Sequence, residues 1–231
     1  MNVLIIGGAS DIGINIALYF KKLGYNVIVG YHKAYMEVSG IDFVKCDVRL
    51  EEEIDYVIKN VISRYGKIDI LVNLACISRD NSFLNKTKQE FIDVLEVNLV
   101  GTFLCNQIYS RYIDDGLIIN MSSTDGVDTY SEYSIDYSAS KAGIINMSKS
   151  VALSTGNKVL CICPNWIDSD STRGMNREYL ESELERIGQS RLIKIDELIV
   201  GFDKIINGDN LTGDVFRIDI RDDKLWIEKI F

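Results

Sequence analysis

The sequence predicts one α/β domain, a doubly wound and mostly parallel sheet of seven strands with helices on both faces. Three observations predict it. Short, continuously apolar, β-branched runs alternate with amphipathic stretches, and a run apolar at every position marks a strand buried on both faces. The alternation of strand and helix recurs without an internal repeat, low-complexity tract or linker, which implies parallel strands joined by right-handed crossovers. A glycine-rich turn separates the first strand from the first helix.

In chain order, the apolar runs predict strands at residues 3–6, 27–31, 43–45, 68–73, 117–121, 159–163 and 215–218. Between the first two, Ile12, Ile16, Ala17, Phe20 and Leu23 recur at three or four and stop at Gly24, a helix end signal. Residues 50–65 stop at Gly66 in the same way, and longer helical patterns run over about 87–112 and 137–155. The single proline, Pro164, follows a strand, where such a sheet opens toward a ligand. Residues 169–190 break the alternation. They are polar and acidic, with Met175, Tyr179, Leu180, Leu184 and Ile187 scattered through them. They read as a lid of one or two short helices over a substrate, or as an ordinary surface helix pair.

The 231 residues suit a single domain, and about 70% of the unfolded surface can be buried without a disulfide or metal staple. The hydrophobic share of 47% and charged share of 26% are ordinary for a soluble globular chain. A net charge of −9 argues against nucleic acid and anionic membrane as partners. His32 is the one histidine, which excludes a multi-histidine metal site. The five cysteines, at 46, 76, 105, 161 and 163, include no C-x-x-C pair and read as reduced, buried thiols of a cytoplasmic protein. No apolar run reaches the roughly 18 residues of a membrane helix. The start lacks the basic region of a signal peptide.

The turn Gly7-Gly8-Ala9-Ser10-Asp11-Ile12-Gly13 offers small residues and a helix N-terminus to a pyrophosphate. It also fits a turn needed only for tight packing. The second strand ends in Tyr31-His32-Lys33, with no carboxylate for an adenosine ribose. His32 and Lys33 can meet a 2′-phosphate, favouring NADP(H) over NAD(H), or can simply be solvated. Tyr137 and Lys141 stand four apart on one helix face. A neighbouring ammonium lowers a phenol pKa from about 10 toward the working range of an acid–base catalyst. Upstream, Ser122 and Ser123 follow a strand, so hydroxyls sit at its carboxyl end.

These motifs, in this order and over almost the whole chain, resemble the short-chain dehydrogenase/reductases of the single-domain, Rossmann-like type. The resemblance extends to Asp47 after the third strand, Asn73-Leu74-Ala75-Cys76 after the fourth, Asn98, and Pro164-Asn165-Trp166-Ile167-Asp168-Ser169. It implies a catalytic set of Asn98, Ser123, Tyr137 and Lys141. Ser123 would hydrogen-bond the substrate oxygen and Tyr137 would donate its proton. Lys141 would bind the nicotinamide ribose, and Asn98 would hold a water leading from Lys141 to solvent. Ser123 is preferred to Ser122 because it keeps the family's Ser-x-x-Gly spacing to Gly126. The cofactor would lie along Gly7, Ser10, Asp11, Ile12, Gly13, Tyr31, His32, Lys33, Asp47, Val48, Asn73, Ala75, Tyr137, Lys141, Pro164, Ile167 and Ser169. Within that set, Asp47 would accept from the adenine amino group, and Asn73 and Ala75 would line the adenosine. Ile167 and Ser169 would meet the carboxamide, with Cys76 beside the cofactor.

The sequence departs from the family pattern in several places. Ile6 stands for a threonine, and Asp11 for the second glycine of the turn, where it caps the helix or crowds a phosphate. Cys76 and Asn165 stand for glycines, and Ile220-Arg221 for a glycine pair, which puts the C-terminal packing in question. The implied function is an NAD(P)(H)-dependent oxidoreductase interconverting a carbonyl and a secondary alcohol, by the cofactor's hydride and a protein proton donor. The resemblance also implies a homo-oligomer, a tetramer or dimer. Many relatives reduce 3-oxoacyl chains on acyl carrier protein, which is therefore a candidate partner if Arg79, Lys86, Lys88, Arg173 and Arg177 cluster. A catalytically idle nucleotide-sensing protein on the same fold is the alternative of another class.

Overall fold

The computed structural model describes residues 1–35 and 37–231. Eight strands form one sheet: β1 (Asn2–Ile6), β2 (Asn26–Tyr31), β3 (Asp42–Lys45), β4 (Ile70–Asn73), β5 (Leu117–Met121), β6 (Lys158–Pro164), β7 (Val215–Arg221) and β8 (Lys224–Lys229). Their order is β3-β2-β1-β4-β5-β6-β7-β8. The first seven strands are parallel and β8 is antiparallel. The order reverses between β1 and β4, and there the sheet leaves a crevice at the strands' carboxyl ends.

The seven-strand expectation is one short. Asp222 and Asp223 both take left-handed backbone, φ 49° and 61°, which closes a two-residue hairpin of the kind matched to strand twist. The chain then folds back as β8, whose Ile227 pairs Ile218 and whose Trp226 pairs Asp219. Pro164 is the last residue of β6 rather than the one after it.

Period-two alternation splits the core in two. Val3, Ile5, Val29, Val72, Ile119 and Ile162 face α1 (Asp11–Lys22) and, through Phe202, a C-terminal helix at Ile195–Ile206. Leu4, Ile6, Ile28, Leu71 and Ile118 face α2 (Glu51–Tyr65) and the Cys105–Tyr109 segment. The pattern over 87–112 resolves into α3 (Lys88–Leu95), a π-helical turn (Glu96–Val100) and α4 (Gly101–Tyr112). By length and composition this 25-residue stretch could cross a membrane. Cys105, Ile108 and Tyr109 nevertheless bury it against the sheet.

The long helix α5 (Ile135–Ser154) crosses to β6. After β6 come α6 (Asp170–Arg173), α7 (Arg177–Ile187) and α8 (Ile195–Ile206). Residues 169–190 thus hold two short helices. Their base is clamped where Asp168 N–H donates to the Ile193 carbonyl and Ile193 N–H to that of Trp166, 2.8 and 2.9 Å.

Candidate active site

A cleft of about 420 Å³ opens at the carboxyl end of the sheet. Its walls come from the β1–α1 turn, the ends of β4, β5 and β6, the start of α5, and α6 with Met175 and Tyr179 of the segment after β6. Two glycines make the β1–α1 turn. Gly7 has φ +75°, and a Cβ there would lie 2.4 Å from the Ala75 backbone. A Cβ on Gly13 would lie 2.5 Å from the Gly8 backbone. The turn therefore packs flush against β4, and Ser10 caps α1 through the Gly13 N–H, 3.1 Å.

Asp11 does something the sequence did not show. Its Oδ1 accepts from the Ile12 N–H at 2.9 Å. Its Oδ2 accepts from the Asp170 N–H at 2.7 Å and from Arg173 at 3.1 Å. The carboxylate takes up a first-turn donor of α1 and latches α6 over the turn. Arg173 also pairs Asp168 and Asp170, at 2.9 and 2.7 Å.

At the far end of the crevice, Tyr31 packs on Tyr35, ring centroids 4.4 Å apart, and His32 and Lys33 are exposed. His32 Nε2 lies 3.3 Å from Asp47 Oδ2. Arg49, which sequence reasoning missed, forks onto both Asp47 oxygens at 2.9 and 2.5 Å. The Arg49 guanidinium holds the Asp47 carboxyl at about 2, against the opposing pull of burial. Val48 is buried against Gly101 rather than open to the crevice. Asn73 departs further from its expected place. Its amide donates to Asn106 and Asn120, both at 2.8 Å, and Asn120 donates to Ser148. This buried network ties α4, β4, β5 and α5 together, and the Asn73 side chain is inside it rather than on the adenosine side.

The other wall gathers Ser123, Tyr137 and Lys141, which all line the cleft. Ser122 spends its hydroxyl on the Lys141 carbonyl, 2.7 Å, and so ties β5 to α5. Ser123 Oγ donates to Asp125 Oδ2 at 2.8 Å and accepts from the Asp125 N–H at 3.1 Å. Lys141 Nζ lies 5.3 Å from the centroid of the Tyr137 ring. Among the described residues it has one protein acceptor, the Met121 carbonyl at 2.9 Å. An ammonium has three donors, so this buried cation has capacity left for the vicinal hydroxyls of a ribose. That capacity, beside a turn without side-chain bulk, fits a dinucleotide.

Burial pushes the Tyr137 phenol well above its ordinary pKa. Cys76 and Asp125 add to the rise, and Ser123 opposes it. Cys76 is the exposed cysteine and lines the cleft, while the other four are buried.

Asn98 sits at the π turn, a distortion found often at functional sites. Its amide bridges Ile77, whose N–H it accepts at 2.8 Å and whose carbonyl it meets at 2.9 Å. It also donates to Ser140 at 3.1 Å. The Asn98 side chain thus braces the loop after β4 against α5 and is not bonded to Lys141. Asp136, next to Tyr137, is fully buried and pairs the buried Lys86 at 2.9 Å. Lys86 is therefore no surface cation. Arg173 and Arg177 are spent in acidic pairs, so the five basic residues do not form an open patch. Among the described residues no cluster could hold a metal ion.

Residues 1–180 match the family described as short chain dehydrogenase. The chain is 35% identical to the 3-oxoacyl-[acyl-carrier-protein] reductase FabG of Staphylococcus aureus, over 82% of this chain and 84% of that one. It is 29% identical to the 3-oxoacyl-[acyl-carrier-protein] reductase of Synechocystis, over 94% of each. Among solved structures it superposes with a short chain dehydrogenase of Leptospira borgpetersenii with bound NAD+. The TM-score is 0.85 at 26% identity, over 94% of this chain and 91% of that one. ElxO with NADP bound superposes with a TM-score of 0.77 at 26% identity, over 94% of this chain and 96% of that one.

Proposed function

The chain belongs to the short-chain dehydrogenase family, and from that premise we propose that it interconverts a carbonyl and a secondary alcohol, with Tyr137 as the proton donor and acceptor. The observation that carries the reading is the meeting of Ser123, Tyr137 and Lys141 in one cleft beside the glycine turn. A nicotinamide dinucleotide, when bound, supplies or receives the hydride. Ser123 orients the substrate oxygen by its hydroxyl, and Tyr137 moves the proton at that same oxygen. Lys141 holds the ribose hydroxyls, and the positive charge of an oxidised nicotinamide would join Ser123 in opposing the rise that burial imposes on Tyr137. Asn98 keeps the wall in place through Ile77 and Ser140.

NADP(H) is the favoured cofactor. The end of β2 carries His32 and Lys33 and no carboxylate, and Arg49 stands nearby on Asp47. The segment 169–190 acts as the lid, hinged at its clamped base and latched through Asp11 and Arg173. Acyl carrier protein as a partner is the second reading. The relatives' names favour it, and binding of the carrier that weakens steeply with salt would mark it.

The test is Tyr137→Phe, followed by NADPH and NADH titration and by turnover on a carbonyl panel. Proton donation of this kind contributes about 10²–10⁴-fold. Turnover should fall by that factor with cofactor binding kept. Near wild-type turnover would end the assignment. Cofactor binding without turnover in the wild type would mean an idle nucleotide-binding protein instead.

A further inference from the structure

Asp125 puts a carboxylate into the wall of the cleft. It lies in the 3₁₀ turn Thr124–Gly126, whose position is tightly fixed. A Cβ on Gly126 would come within 2.5 Å of the Lys141 backbone, so the turn lies flush on α5 and cannot slide. Asp125 therefore stands at a set place beside Ser123 and Tyr137, inside the cleft.

Ser123 has one hydroxyl proton, and in the structure that proton goes to Asp125 Oδ2 at 2.8 Å. The same proton is the one a substrate carbonyl oxygen needs. The two demands compete. If Ser123 turns to the substrate, Asp125 loses its side-chain donor. No lysine or arginine pairs Asp125 among the described residues, because Arg186 of α7 is engaged with Glu183 at 2.7 Å and Lys141 with Met121. A largely buried carboxylate left with only its own backbone N–H is under-satisfied, which is costly. Burial is also the largest influence on its acidity and pushes its carboxyl up, while Ser123, the Asp125 backbone N–H, Arg186 and Lys141 pull the other way.

We propose that Asp125 selects substrates that carry a hydroxyl or ammonium on the carbon next to the reacting one. That donor replaces Ser123 on Asp125, Ser123 turns to the reacting oxygen, and every group keeps a partner. Asp80, Ser131, Ser134 and Tyr179 add polar groups to a lining that also holds Ile77, Trp166 and Met175, so the cleft can take a small substrate with one polar and one apolar part. A plain ketone or a 3-oxoacyl chain has no donor at that carbon. The inference rests on the carbonyl–alcohol reading and deepens it.

The experiment compares 3-hydroxybutan-2-one with butanone as substrates, and butane-2,3-diol with butan-2-ol as ligands read by intrinsic tryptophan fluorescence, to which Trp166 in the cleft contributes. Each pair is measured on the wild type, Asp125→Ala and Asp125→Asn, with cofactor titration and circular dichroism as controls of folding. A hydrogen bond to a charged group is worth about 10- to 100-fold. The wild type should prefer the hydroxylated member of each pair by that factor. Asp125→Ala should bring both ratios near one. Asp125→Asn keeps an acceptor and the shape, so it should fall between and shows that a loss in the alanine variant is not misfolding. Ratios near one in the wild type, or ratios unchanged in Asp125→Ala, would overturn the proposal. Turnover of both ketones without preference rejects the role of Asp125 and leaves the oxidoreductase reading standing. Selective diol binding with no turnover supports Asp125 and rejects that reading.

Discussion

The two walls of the cleft are built on opposite electrostatic plans. On the β5–α5 wall, polar side chains are buried and several are held by backbone groups, beside the Ser123–Asp125 bond and the Lys86–Asp136 pair. Ser122 bonds the Lys141 carbonyl, Lys141 the Met121 carbonyl, and Asn98 both polar groups of Ile77. On the opposite wall, from the β1–α1 turn to the end of β2, charge meets charge in half-exposed clusters. Asp11 pairs Arg173, and Asp47 pairs Arg49, with the His32 ring 3.3 Å away. Buried neutral hydrogen bonds hold a geometry and are little affected by salt. Exposed ion pairs contribute little stability and are screened. The difference teaches that the side chains proposed to react are held by the fold itself, with Ser123 alone having to change partner when a substrate arrives. The anionic parts of a cofactor must instead displace or join charges already paired.

The largest effect that would break this contrast lies on the buried wall. Lys86 and Asp136 form a buried ion pair there, with side chains 4% and 0% exposed. Removing one partner of such a pair costs about 3–5 kcal/mol, because the other charge stays buried. Lys86→Met should therefore lower the melting temperature by about 10 °C and loosen the start of α5, which carries Tyr137. The double change Lys86→Met with Asp136→Leu should recover most of the loss. A single variant as stable as the wild type would show that the pair is not what holds this wall.

The next effect belongs to the charged wall and depends on pH. The Asp47 carboxyl is depressed in the fold to about 2, chiefly by Arg49. A depressed carboxyl stabilises the fold above its unfolded pKa, and that contribution disappears as pH falls through the folded value. The term is therefore full above about pH 4 and gone below about 2. Asp47→Asn should remove about 1 kcal/mol or less at neutral pH, because the half-exposed Arg49 partner is screened by solvent, and flatten the acid limb of the stability curve between those values. An unchanged acid limb would place the titrating group elsewhere.

How far these walls could be read from sequence follows the range of the contacts. The parallel strands were legible because burial on both faces leaves uninterrupted apolar runs, and most bounds agree to within a residue or two. β8 was not, since Asp222-Asp223 lacks the glycine of a familiar hairpin turn and the strand is half-exposed. Ser123, Tyr137 and Lys141 were legible as candidates because their spacing is local to one turn and one helix. Arg49 and the Lys86–Asp136 pair were not, because nothing within one element marks them. Lys86 and Asp136 lie 50 positions apart, and sequence reasoning took Lys86 for a surface cation. Asn73 misled for the same reason. Its partners Asn106 and Asn120 come from another helix and another strand.

A smaller effect tests cofactor choice at the exposed end. His32→Ala with Lys33→Ala removes two side chains that lie in solvent at the end of β2. If they meet a 2′-phosphate, NADPH affinity should fall about tenfold, in line with about 1 kcal/mol or less for each exposed charge contact. NADH affinity should stay where it was. The gap between the two cofactors should also narrow with salt, since exposed charges are screened. Equal losses for both cofactors would assign the two residues to general binding.

The smallest effect separates two roles of Asp11. As a fixed negative charge on the first donor of α1, it repels a phosphate that needs the same N–H. As the partner of Asp170 and Arg173, it holds α6 over the turn. Asp11→Gly removes both. If repulsion dominates, cofactor should bind a few-fold tighter, about 0.5–1 kcal/mol, and the gain should shrink at high salt because charge–charge terms are screened. If the latch dominates, binding should weaken, and the loss should persist at high salt because the Asp170 N–H contact carries no net charge. Arg173→Gln resolves the pair further. It cuts the ionic part of the latch while leaving the Asp11 charge in place, so it should weaken binding under both accounts. A tighter complex in Asp11→Gly alongside a weaker one in Arg173→Gln would show that the cofactor competes with Asp11 and is helped by Arg173.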